Sequence, residues 1–205
     1  MTECKDPPRA EQLEALGEII NLGIQNSCWI LSSMLVSSLL CELEEDPCFT
    51  RDNEIPAPNA DSDPSCQVHL RFNGKISGTA VFSLDRNHTA SLLEHVTGRT
   101  VTPGLLDTLD AGTFSEIGSM VMDGVMSSLS RVLGLNLIYQ VPTFRQGVGS
   151  GLLPTCFGES WITFGAPVRM VYEGWQAQAW TYFYLDDGSC RVLIERIKAV
   201  VLKEV

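Results

Sequence analysis

The sequence predicts an α+β fold built from a duplicated unit of long helix, strands and short helix. Three observations predict it: the chain repeats itself once, each copy opens on a long apolar stretch with helical spacing, and each then alternates in strand fashion. Glu18-Ile19-Ile20-Asn21-Leu22-Gly23 is matched ninety-eight positions later by Glu116-Ile117-Gly118-Ser119-Met120. Gly74–Asp85 (GKISGTAVFSLD) is matched by Gly174–Asp186 (GWQAQAWTYFYLD). A helical segment follows each. A unit of about 100 residues fused to its copy explains this order better than two unrelated domains. We therefore expect one domain over 1–205, made of two pseudo-symmetric halves at about 10–99 and 104–205.

The elements follow from period. Residues 10–42 read as a helix of about 50 Å. Its apolar side is expected to bury Leu16, Ile19, Ile20, Gly23, Ser27, Ile30, Leu31, Met34 and Leu35. The acidic, proline-containing stretch 44–65 reads as an exposed loop, either a solvated connection or a docking segment for a basic partner. Residues 66–72 and 76–85 alternate as a hairpin around Asn73-Gly74. Residues 87–98 form a short helix ending at Gly98, and 106–134 the second long helix ending at Gly134. Strands are expected at 135–142, 152–157, 160–173 and 176–186, and a final helix at 188–203. Trp29, Trp161, Trp175 and Trp180 are assigned to core and sheet packing.

Composition narrows the function. The 205 residues carry 14 basic and 25 acidic side chains, a net charge of −11. That excludes a nucleic-acid surface, which needs clustered Lys and Arg, and disfavours anionic membranes. The seven cysteines show no C-x-x-C and no clustering with His69, His88 or His95, so no zinc site is expected. Free thiols and the lack of a signal-peptide pattern point to the cytoplasm. Ile19 to Cys41 has 23 residues without a charge. Its many Asn, Gln and Ser residues fit a long amphipathic helix on a core better than a membrane span.

On the first helix, Glu14, Glu18, Asn21 and Gln25 fall at i, i+4, i+7 and i+11, one polar stripe without a basic residue. The matching positions of the second are Gly112, Glu116, Ser119 and Asp123. Taken alone, such stripes are what solvated helix faces carry. Gly147–Gly151 is glycine-rich, but no helix follows it, which argues against a phosphate cradle.

The repeated Glu-x-x-Asn resembles the CheC/CheX/FliY family of chemotaxis phosphatases, most closely CheC. The family's motif is [DS]-x3-E-x2-N-x22-P, once or twice per chain. Here the first copy supplies Glu18 and Asn21, and the second Glu116 with Pro142 at the motif distance. The Gly-x-Ile-x-Gly run after Asn73, the helix end at 92–99 and Leu133-Gly134-Leu135 extend the match. The resemblance implies an antiparallel sheet with the long helices on one face. It also implies hydrolysis of the aspartyl phosphate of a CheY-like response regulator. On that model Glu18 contacts the regulator's lysine, Asn21 holds the attacking water, and Mg2+ belongs to the regulator, so this chain needs no cofactor or metal of its own. The departures are Glu14 and Gly112 at the Asp/Ser position, Glu44 at the first proline position, and Ser119 in place of the second asparagine. A hydroxyl is shorter than an amide and has one donor, so Glu116 and Ser119 are expected to form a weakened second site. The alternative is a non-catalytic adaptor of the same fold, binding a response regulator or a CheD-like partner, or sitting in a flagellar switch.

Overall fold

The computed structural model describes residues 7–35, 38–51, 64–103, 106–148, 152, 154 and 161–202. The first half runs α1 (Ala10–Leu35), β1 (Leu39–Leu43), β2 (Cys48–Thr50), β3 (Ser65–Gly74), β4 (Gly78–Asp85) and α2 (Arg86–Thr97). The second half repeats that order: α3 (Thr108–Leu133), β5 (Leu137–Tyr139), β6 (Thr143–Gly147), β7 (Ile162–Tyr172), β8 (Trp175–Leu185) and α4 (Asp187–Val201). The fold is α+β, as the sequence predicts.

The strands form one antiparallel sheet in the order β1-β7-β8-β4-β3-β5, with β2 also on β7 and β6 also on β3. The short strands of each half thus complete the sheet along a long strand of the other half. Side chains alternate across the sheet. Ala80, Phe82 and Leu84 of β4 join the main core with residues of all four helices, whereas Val81 lies in a second cluster with Tyr182 and Tyr184 on the opposite face.

Helix ends follow the predicted stop signals. Gly98 closes α2 at φ 66° and Gly134 closes α3 at φ 63°, the left-handed conformation that glycine adopts without penalty. Asp107 and Asp110 form a reciprocal capping box at the start of α3.

Several boundaries differ from the expectation. The first helix does not reach residue 42: Leu39–Leu43 is a strand paired with β7 from Leu39↔Tyr172 to Leu43↔Val168. The Ser32 hydroxyl bonds both the N–H and the C=O of Leu39, tying the new strand to the helix it leaves. Part of the expected loop 44–65 is strand β2, paired with Gly165, Phe164 and Thr163. Within 143–147, adjoining the glycine-rich run, β6 pairs with β3. The expected strand at 152–157 lies almost wholly outside the described residues, as do 52–63. The last β3–β4 pair, Phe72 with Gly78, encloses five residues, of which Asn73 and Gly74 still belong to β3 and pair with β5. The tight two-residue hairpin is instead Glu173-Gly174, with φ 42° and 84° between the paired Tyr172 and Trp175.

The two long helices pass each other in opposite directions. The Ser27 hydroxyl bonds the carbonyls of Met120 (2.8 Å) and Val121 (3.3 Å), while Gly23 faces Gly124 and Val125. A Cβ on Gly23 would stand 2.4 Å from the Val125 Cα. The helices are therefore in backbone contact at their crossing.

On the sheet face opposite the helices, His69 is 4% exposed and shares a hydrogen bond of 2.9 Å with Gln67. Burial, Arg145 and Arg71 push its pKa down from 6.5 to about 4. The neutral imidazole is thus favoured in the folded state. Its contribution is fully present above pH 6.5 and is lost as pH falls from 6.5 to about 4, because the unfolded chain takes up the proton first. We expect chemical denaturation to show a stability loss of roughly 3 kcal/mol across that window, absent in His69→Gln.

Candidate functional site

Of the predicted stripe, Glu14, Glu18 and Gln25 are exposed and Asn21 is half-buried. The buried side holds Leu16, Ile19, Ile20, Gly23, Ser27 and Leu31 as expected. Two assignments are corrected: Ile30 is 46% exposed and Trp29 is 75% exposed. The side chains of Met34 and Leu35 lie outside the described ones. Among the other tryptophans, Trp175 is buried, while Trp161 and Trp180 are half-buried against the second sheet-face cluster.

Asn21 has a feature that one-dimensional spacing does not show. Its Oδ1 accepts a hydrogen bond of 3.0 Å from the Leu43 N–H, at the end of β1. A backbone N–H can only donate, so the amide is fixed with its oxygen toward the strand. Among the described residues Nδ2 donates to nothing, leaving two N–H donors beside the exposed carboxylate of Glu18. The two residues are three apart on a rigid helix, which sets about 5–6 Å between their Cβ atoms.

The turn after β1 is held close to the helix. A Cβ on Gly17 would lie 3.0 Å from Pro47 Cδ, and Pro47 is buried. Glu44, where the resemblance calls for proline, donates its N–H to Pro167 O at 3.1 Å. Proline lacks that N–H, so the sheet uses glutamate here and the buried proline falls three residues later. The Glu44 carboxylate also accepts from Gln178 Nε2.

The second copy lacks this arrangement. Glu116 is exposed like Glu18, but the Ser119 hydroxyl donates to Ser115 O of its own helix at 2.6 Å. The counterpart of Leu43, ninety-eight positions on, is Val141, which is 86% exposed. Further along α3, partial burial raises the pKa of Asp123, which lines a groove with Asn26, Ile30, Ser127 and Arg131.

Cys28, Cys41, Cys48, Cys66 and Cys190 form no disulfide among the described residues. Among the described residues there is no group of three or more His, Cys, Asp or Glu side chains placed to hold a metal ion. No helix of the described residues is long and apolar enough to cross a membrane.

No family model and no curated protein sequence matches the chain. Solved structures do. Thermotoga maritima FliY superposes with a TM-score of 0.76 at 16% identity, covering 94% of this chain and 98% of that one. FliM from H. pylori, in its complex with SpeE, gives 0.71 at 12% identity over 96% and 99%. The CheX–CheY–BeF3–Mg2+ complex from Borrelia burgdorferi gives 0.52 at 12% identity over 82% and 97%. The chain has the fold that FliY, FliM and CheX share.

Proposed function

We propose that this protein hydrolyses the aspartyl phosphate of a CheY-like response regulator through Glu18 and Asn21 of α1. The observation that carries the reading is the amide of Asn21, clamped by the Leu43 N–H and presenting its donors next to an exposed carboxylate. The fold shared with CheX, solved in complex with CheY and the beryllofluoride group, supports the choice of partner.

Phosphoryl transfer passes through a loose transition state, so positioning and charge stabilisation dominate. The phosphoryl group and its Mg2+ are supplied by the regulator. A water accepting an N–H from Asn21 keeps a lone pair for phosphorus. The neutral amide does not repel the anion, as a carboxylate at the same place would. Glu18 is free to pair with a cationic side chain of the visitor, which orients the helix over the acyl phosphate.

The second reading, a non-catalytic adaptor, is favoured by Ser119 and by the likeness to FliM, which is solved in complexes with FliG and SpeE. The two readings separate on phosphate release from a phosphorylated CheY-type receiver. We expect acceleration by the wild-type chain and by Ser119→Ala, with Glu18→Ala weaker in both apparent affinity and rate. Equal damage from Ser119→Ala and Glu18→Ala would misplace the site, and no acceleration by wild type would leave the adaptor.

A further inference from the structure

Trp29 is 75% exposed on a helix whose other large apolar residues mostly face the core. It stands eleven residues after Glu18, three turns and about 20° round the helix, so both point the same way. Leu22, 40% exposed, and Gln25 lie between them on that line. No charged residue occurs on α1 after Glu18, so a partner can desolvate this strip without stripping an ion of water.

The duplication supplies a control. Ninety-eight positions on, Leu22, Gln25 and Trp29 correspond to Met120, Asp123 and Ser127. The helix that keeps the clamped amide carries the exposed tryptophan; the helix with Ser119 carries a charge and a hydroxyl in its place.

We propose that Leu22 and Trp29 are docking anchors for the same phosphorylated receiver domain whose acyl phosphate meets Glu18 and Asn21, an inference that rests on the partner assigned above. The dimensions fit. A standard interface covers about 800 Å² per partner, a disc of roughly 16 Å radius. Centred on Asn21, it takes in Trp29, which is about 12 Å along the helix axis. Tryptophan in such a position is the residue type that most often dominates binding. Glu18 and Asn21 then set the chemistry, Glu18 also helps to hold the receiver, and Leu22 and Trp29 add affinity without touching the reacting group.

The test uses the full chain with a CheY-type receiver, either phosphorylated or loaded with Mg2+ and beryllofluoride. Trp29→Ala should raise KM for the phosphorylated receiver about 30-fold, with kcat within about two-fold of wild type. Trp29→Phe should recover most of the loss, and the thermal midpoint of both variants should match wild type. In wild type, acrylamide should quench Trp29 fluorescence in the free chain and lose that access when the beryllofluoride receiver binds. An unchanged KM in Trp29→Ala, or equal quenching in the complex, overturns the docking role while the phosphatase reading stands. Protection of Trp29 with no acceleration of phosphate release keeps the docking role and removes catalysis. A receiver that neither binds nor loses phosphate removes both.

Discussion

Asn21→Asp is expected to lower phosphate release at saturating chain by about 10²-fold or more while leaving the fold intact. The substitution is nearly isosteric. A carboxylate oxygen still accepts from the Leu43 N–H, now as a charge-assisted bond, so the end of β1 stays tied to α1. What disappears is the pair of N–H donors, and a negative charge replaces them where the phosphoryl anion is to sit. Asn21→Ala is the less informative change. It removes the donors but also strips Leu43 of its acceptor, which costs about 1–3 kcal/mol if water does not replace it. The thermal midpoint of Asn21→Asp at or above wild type, together with the loss of rate, assigns the effect to the donors. Full activity in Asn21→Asp would mean that the amide donors are not used.

Gly23→Ala is expected to destabilise the whole domain by about 2 kcal/mol or more. Alanine is favoured over glycine inside a helix by about 1 kcal/mol, so propensity alone predicts the opposite sign. At the crossing of α1 and α3, however, the new methyl would meet backbone rather than a movable side chain: Val125 Cα at 2.4 Å and Gly124 O at 2.7 Å. The helices must separate, and the Ser27 hydroxyl then loses its carbonyls on α3. Gly112→Ala is the matched control. Gly112 lies on α3 with no neighbouring atom within 4 Å of where the methyl would stand, and the change should be neutral or stabilising by up to about 1 kcal/mol. Urea unfolding of the two variants beside wild type decides the matter, and equal stability of Gly23→Ala would mean that the crossing gives way freely.

The parts of this fold that sequence made legible are those with a local physical cause. The long helices show a 3.6-residue period, and Gly98 and Gly134 stop two helices in the conformation that glycine accepts. The misplaced end of α1 has a non-local cause. Leu39 to Cys41 continues an apolar run that suits a helix as well as a strand, and only pairing with β7 decides between them. The strands β2 and β6 escape sequence reasoning for the same reason, being short and defined by their partners β7 and β3.

The site divides similarly. That Glu18 and Asn21 share a face is helix arithmetic. That Asn21 is anchored by Leu43, twenty-two residues later, depends on where β1 lies against α1, and no spacing rule reports it. Trp29 is different, because its signal is present in the sequence. The same arithmetic that aligns Glu18 with Gln25 places Trp29 on that line, and the general preference for tryptophan in cores outweighs it.

A structure of this chain bound to a CheY-type receiver carrying Mg2+ and beryllofluoride would decide whether α1 is the working surface. We predict α1 laid across the receiver's phosphorylation site, with the Asn21 Nδ2 donating to a water in line with beryllium and the Glu18 carboxylate paired to a receiver cation. A receiver seated elsewhere, such as on the exposed edge around Ile138 and Val141, with α1 left in solvent, would contradict it.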